Sequence, residues 1–93
     1  MRSFIRNSQE SFLMDQLITI LKAIESSEAP DDALFTEAED LANCLLIRDN
    51  GSRNYDNEII LCNLGFYVKC LEKDSFGWLV GGIETSHGFV QYG

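Results

Sequence analysis

Residues 74–89 read DSFGWLVGGIETSHGF, the densest run of glycine and aromatic residues in the chain, with its only histidine near the end. The fold turns on whether this is a ligand-cradling loop or the turns and central strand of a β-meander. A phosphate cradle places glycines after a strand and directly before a helix N-terminus, where backbone N–H groups converge on an anion. Here Gly77, Gly81 and Gly82 are followed by Ile83, Glu84 and Thr85, which continue a strand. Neither GxGxxG nor a GKS or GKT ending occurs. Asp74-Ser75-Phe76-Gly77 instead makes a four-residue connection with glycine where positive φ is wanted, and His87-Gly88 makes a two-residue one.

Those connections predict three strands, over 66–73, 78–86 and 89–92, with Lys73 facing Trp78, Leu71 facing Val80 and Lys69 facing Gly82. Strand side chains alternate between faces. Phe66, Val68, Cys70, Leu79, Gly81, Ile83, Val90 and Tyr92 therefore share one apolar face, suited to packing on helices. Gly81 in its middle would let a helix approach closely. The other face carries Tyr67, Lys69, Leu71, Lys73, Trp78, Val80, Gly82, Glu84, Phe89 and Gln91. Tyr67, Leu71, Trp78, Val80 and Phe89 together exceed what a solvated face needs, and mark either a partner or dimer surface or a region covered within the chain, for instance by the segment around Phe4 and Ile5.

Upstream, the apolar period is helical. Leu13, Leu17, Ile20, Leu21 and Ile24 form one stripe widened by Phe12, Met14 and Ile18, predicting a helix over 8–27 capped by Asn7, with Glu10 in capping-box position. Ser26, Ser27 and Pro30 end it. A second helix is expected over 36–48, with a possible earlier start near Asp32. Thr36 and Glu39 form its capping box, and Ala38, Leu41, Ala42, Leu45 and Leu46 its inward face. The turn chemistry of DNGS at 49–52 stops it. Residues 57–64 fit a helix capped by Asp56 and closed by Gly65 better than a strand, because a glycine before an alternating segment marks a helix-to-strand junction. Helices first and a meander last predict an α+β fold: two or three N-terminal helices on one face of a three-stranded antiparallel sheet, in a single domain over residues 1–93.

The chain has 93 residues, 45% hydrophobic and 24% charged, which fits one folded domain. Its apolar runs are too short to span a bilayer, and the N-terminus lacks the pattern of a signal peptide, so a cytoplasmic location is expected. Cys44, Cys62 and Cys70 are odd in number and have no CxxC spacing, which argues against a disulfide framework or zinc site and for buried thiols. No cofactor or metal is expected.

Charge is the most informative feature. Residues 25–40, ESSEAPDDALFTEAED, hold Glu25, Glu28, Asp31, Asp32, Glu37, Glu39 and Asp40 without a lysine or arginine. These seven carboxylates carry nearly all of the net charge of −8, since the other residues hold eight acids and seven bases. Glu37, Glu39 and Asp40 suit the first turn of a helix starting near Thr36, but Glu25 and Glu28 lie at a helix C-terminus, where the dipole disfavours them. Direct nucleic-acid binding is disfavoured, because phosphate contact needs clustered lysine and arginine. A basic protein partner is the natural complement.

Catalytic constellations are thin. His87 sits at a predicted turn tip, and alternation along Glu84-Thr85-Ser86-His87 prevents a ready-made triad. The combination predicts a small acidic binding protein and not an enzyme. It has the character of an inhibitor or immunity-type module, as anti-CRISPR proteins and toxin-immunity partners do, occupying a basic surface on a nuclease, a nucleic-acid-binding complex or a toxin. The alternative is a structural or accessory subunit, or a homodimer, that associates through the apolar sheet face around Trp78.

Overall fold

The computed structural model describes residues 8–93. Among these, three helices, α1 (Ser8–Ser26), α2 (Asp32–Leu46) and α3 (Tyr55–Asn63), precede three strands, β1 (Tyr67–Lys73), β2 (Leu79–Thr85) and β3 (Gly88–Tyr92). The strands form an antiparallel sheet in the order β1-β2-β3. This is the α+β arrangement expected from the sequence. One apolar cluster joins α1 (Met14, Leu17, Leu21, Ile24), α2 (Ala38, Ala42, Leu45, Leu46), α3 (Leu61) and the sheet (Val68, Ile83, Val90, Tyr92). The buried line of α1 runs through Met14, while Phe12 is 61% exposed. Asn7, expected to cap α1, lies outside the described residues, as do Phe4 and Ile5.

The second helix starts at Asp32, the earlier of the two expected starts. Asp31 is its N-cap, in extended geometry after Pro30, and its carboxylate accepts from the Ala33 N–H at 3.2 Å. The Thr36–Glu39 pattern is consequently helix interior and not a capping box. The helix also ends before Arg48, because Ile47 is extended and pairs with Arg53 across a tight loop. For α3 the helical alternative holds, but its cap is Asn54, which accepts from the Asn57 N–H at 3.2 Å, two residues ahead of the expected Asp56. Its end is a Schellman motif: the N–H of Gly65 donates to Cys62 O and that of Phe66 to Leu61 O. The chain thereby leaves α3 and enters β1.

In the sheet, both predicted turns are displaced and both displacements are absorbed. At the first, Asp74 N–H donates to Trp78 O and Gly77 N–H to Asp74 O, so Asp74 faces Trp78 and the loop is the three residues Ser75, Phe76 and Gly77. Gly77, at φ 87°, supplies the left-handed residue that closes this turn type. The one-residue shift places Lys73 opposite Leu79 and Glu72 opposite Val80. Left uncorrected it would turn the rest of β1 inside out. A bulge between Lys69 and Glu72 takes up the extra residue and restores the expected pairing of Lys69 with Gly82. Leu71 falls in that bulge and packs against the core cluster, contrary to its expected place on the outer face. At the second turn the loop is Ser86-His87, and Thr85 pairs with Gly88. Relative to a His87-Gly88 loop this slides the strands by two residues, so side chains keep their faces.

The adjacent glycines of β2 admit aromatic rings. A Cβ on Gly81 would meet the Tyr92 ring at 2.5 Å, and one on Gly82 would meet Phe89 at 2.9 Å. The space over Gly81, expected to admit a helix, is thus filled by a side chain of β3. Tyr92 is buried and its hydroxyl donates to Lys69 O on β1 at 3.1 Å, crossing the central strand. Phe89 is 44% exposed and its ring can swing into solvent. Gly81→Ala should therefore cost about 1–3 kcal/mol through overpacking against a pinned ring, and Gly82→Ala distinctly less. Urea denaturation of the two variants checks the order; equal losses would refute it.

Candidate functional site

The seven acidic residues of 25–40 are not one patch. Glu25 reaches across to the β2–β3 turn, where its carboxylate accepts from the Ser86 N–H at 2.8 Å and from the Ser86 hydroxyl at 2.5 Å. That contact explains an acid at a helix C-terminus, which the helix alone did not. Glu28 is exposed in the connection between α1 and α2. Asp31 is a cap. Glu37 lies on the side of α2 turned to α1, beside Phe12, Gln16 and Ile20. Asp32, Glu39 and Asp40 remain, joined by Thr36 and Asn43 at spacings of i, i+4, i+7, i+8 and i+11, which puts all five on one stripe of α2. Only Asp32 lies in the first turn of the helix, so the macrodipole does not account for Glu39 and Asp40.

This stripe borders the sheet. Glu39, Asp40 and Asn43 line a depression of about 260 Å³ together with Val80, Gln91, Tyr92 and Gly93. Val80 and Gln91 also line a second depression of about 100 Å³, with Lys69, Gly81, Gly82 and Phe89 on the outer face of the sheet. The acidic stripe and the outer face are therefore continuous around the end of β3. Both hollows are smaller than the ~300–1,000 Å³ of pockets that bury small molecules.

The outer face is also rearranged relative to expectation. Rows of paired residues cross it as Tyr67–Glu84–Phe89 and Lys69–Gly82–Gln91, with Glu72 beside Val80. Leu71 is absent from it because of the bulge. Trp78 precedes β2 at the hairpin tip, 71% exposed, near Phe76 at 85%. Asp74 holds this tip, its carboxylate accepting from the N–H groups of Phe76 and Trp78 at 2.8 and 3.0 Å. Lys69 and Gln91 lie on the face expected for them, but they were not named as contacts; Phe76 was read only as a turn residue, and Asn43 was missed. The stripe spacing from a helix started at Asp31 would have found Asn43.

Cys44 and Cys62 are exposed on α2 and α3, not buried as expected; the side chain of Cys70 lies outside the described residues. Among the described residues no group of three or more His, Cys, Asp or Glu side chains is placed to hold a metal. Ser86, His87 and Glu25 meet on an exposed turn, but the hydroxyl donates to the carboxylate and not to the imidazole that would activate a nucleophile. A polar cluster overlooked in the sequence ties α3 to its surroundings. The buried Glu58 accepts from Arg53 Nε at 2.7 Å, and Asn57 Nδ2 donates to Leu45 O at 2.8 Å and to Glu10 at 3.2 Å. No helix among the described residues is long and apolar enough to cross a membrane.

No family model, curated protein or solved structure matches the chain.

The Glu25 contact gives a titration test. The Ser86 hydroxyl, then the Ser86 backbone N–H, and more weakly the charge of His87, hold the Glu25 carboxyl below its ordinary value of 4.5. A depressed carboxyl contributes stability above its unfolded pKa and loses it as pH falls through the folded one. This contribution is therefore complete above pH 4.5 and fades in more acidic solution. Carboxyl NMR should place the Glu25 midpoint lower in the native protein than in Ser86→Ala. Identical midpoints would mean that the contact does not form in solution.

Proposed function

We propose that this chain is a non-catalytic binding module of the inhibitor or immunity type, which occupies a basic surface on a nuclease, a nucleic-acid-binding complex or a toxin. The observation that carries this reading is the continuity of the α2 acidic stripe with the outer sheet face through Val80 and Gln91. A partner seated there would present arginine or lysine to Asp32, Glu39 and Asp40 while covering apolar area at Val80, Phe89 and Tyr67. Charged rims steer encounter and reject wrong partners, and aromatic side chains supply anchoring area. Of the seven acids, Glu25 and Asp31 have structural duties, so the stripe is the part with charge to spare.

A second reading is favoured by the hairpin tip. Phe76 and Trp78 are exposed on a turn that Asp74 holds in shape, which suits an accessory subunit or homodimer anchored through that end of the sheet.

Salt separates the two, because exposed charge attraction is screened with a Debye length of about 8 Å at physiological ionic strength. Capture from host lysate at low and high salt should retain a basic nucleic-acid-acting protein that washes off with salt. The double change Glu39→Lys with Asp40→Lys should weaken its binding at least tenfold, and Trp78→Ala should weaken it less. Retention that survives charge reversal and high salt, but is lost in Trp78→Ala, would replace the first reading with the second.

A further inference from the structure

We propose that the groove between α2 and the free edge of β3 accepts an extended, lysine- or arginine-bearing segment of the partner by strand addition. The inference rests on the reading of the chain as an acidic binding module and names how that module holds its target. Among the described residues β3 is an edge strand, paired with β2 alone. Its closing pair is Thr85–Gly88 across a two-residue turn, and in an antiparallel ladder hydrogen-bonded pairs alternate with non-bonded ones. Ile83–Val90 and Gly81–Tyr92 continue the bonded series, so the N–H and C=O groups of Phe89 and Gln91 point away from β2.

The next residue in that outward series is Gly93, and its N–H donates to the Asn43 side chain of α2 at 2.9 Å. The edge donors therefore look toward the acidic stripe, and Asn43 closes one end of the groove. Glu39 lies one helical turn before Asn43, and Gln91 two strand residues before Gly93. Four helical residues rise about 6 Å and two strand residues about 6.8 Å, so stripe and edge run nearly in step. Glu39, Asp40 and Gln91 line the same depression.

The two edges of the sheet are treated differently. β1 carries Lys69, Glu72, Lys73 and a bulge, the devices that discourage edge pairing. β3, GFVQY, has no charge, no proline and an unbroken ladder. A second copy of this chain is a poor occupant, because pairing β3 with its own image would bring two acidic stripes together. A segment alternating basic and apolar residues fits instead. Its main chain pairs with Phe89 and Gln91, its cations face Asp32, Glu39 and Asp40, and its apolar residues lie beside Phe89 and Val80.

The test uses the 93-residue chain with two blocked hexapeptides, one alternating lysine and valine, the other glutamate and valine. The lysine peptide should shift and protect from hydrogen exchange the Phe89 and Gln91 amides, with at least tenfold preference over the glutamate peptide. Gln91→Pro removes an outward N–H without touching the ladder to β2, and should weaken lysine-peptide binding at least tenfold with an unchanged circular dichroism spectrum. Glu39→Lys with Asp40→Lys should invert the preference. Absence of protection at Phe89 and Gln91 in the native chain overturns the inference whatever the variants do. Equal binding of both peptides does so too, as does protection that grows with protein concentration alone, which would identify a second copy as occupant. If charge reversal abolishes capture of a basic partner while these amides stay unprotected, strand addition fails and the binding module stands. Protection by the lysine peptide with no partner captured would leave the edge site and overturn the inhibitor reading.

Discussion

The ring of Tyr92 lies flat across Gly81, and its hydroxyl donates to the Lys69 carbonyl on the far strand. One side chain thus ties β3 to β1 over the top of β2, on the face that packs against the helices. The carbonyl it reaches belongs to the residue just before the bulge, where the ladder is interrupted and backbone groups need other partners. On the opposite face Phe89 leans over Gly82 in the same manner. The glycine pair of β2 is therefore clamped between two rings of β3, one buried and one half-exposed. A side chain at Gly81 would displace the buried ring, loosen the contact beside the bulge and free the register of β1.

That register decides what the outer face presents. A three-residue turn and a bulge, each unremarkable alone, cancel one another: the turn advances the pairing by one residue and the bulge returns it. Between them they carry Leu71 to the core side and bring Glu72 up beside Val80. The outer face is consequently less apolar than the sequence suggested. Its large exposed side chains separate into Tyr67 and Phe89 on the sheet and Phe76 with Trp78 at the hairpin tip.

What was legible in the sequence was whatever rests on period and on single strong signals. The helical stripe of α1, the alternation of the strands and the glycine after α3 gave the element order and the α+β class. The left-handed Gly65, the core positions Ile83, Val90 and Tyr92, and the faces of β3 were all readable before the chain was folded. Choices between near-equal local signals were not. A start at Thr36 and an earlier one near Asp32 were both open, and by residue type Asp56 is as good a cap as the observed Asn54; which one wins depends on where tertiary packing lets the helix begin. A bulge leaves almost no trace in a sequence, because Cys70 and Leu71 are both acceptable strand residues. The Glu25–Ser86 contact joins residues 61 apart, and no local rule reaches that far.

Moving the start of α2 from Thr36 to Asp32 changes the meaning of its charge. With the later start, Glu37, Glu39 and Asp40 fall in the first turn, where the helix dipole favours them and no further account is needed. With the observed start they lie in the second and third turns, beyond the reach of the dipole. Glu37 and Asp40 are a like-charged i, i+3 pair, a repulsion worth about 0.2–0.5 kcal/mol that the dipole no longer offsets, and no lysine or arginine from 25 to 40 does so either. Helix stability alone would favour a basic residue at one of these positions. The stripe of Asp32, Glu39 and Asp40 likewise has no basic residue, and it borders β3, which among the described strands is the one without a charged side chain and where, on the proposed reading, a partner's cations would meet it. On the proposed reading, the field and the outward backbone groups of Phe89 and Gln91 would act on the same visitor, charge bringing a basic segment to the groove and main-chain pairing setting its direction and register.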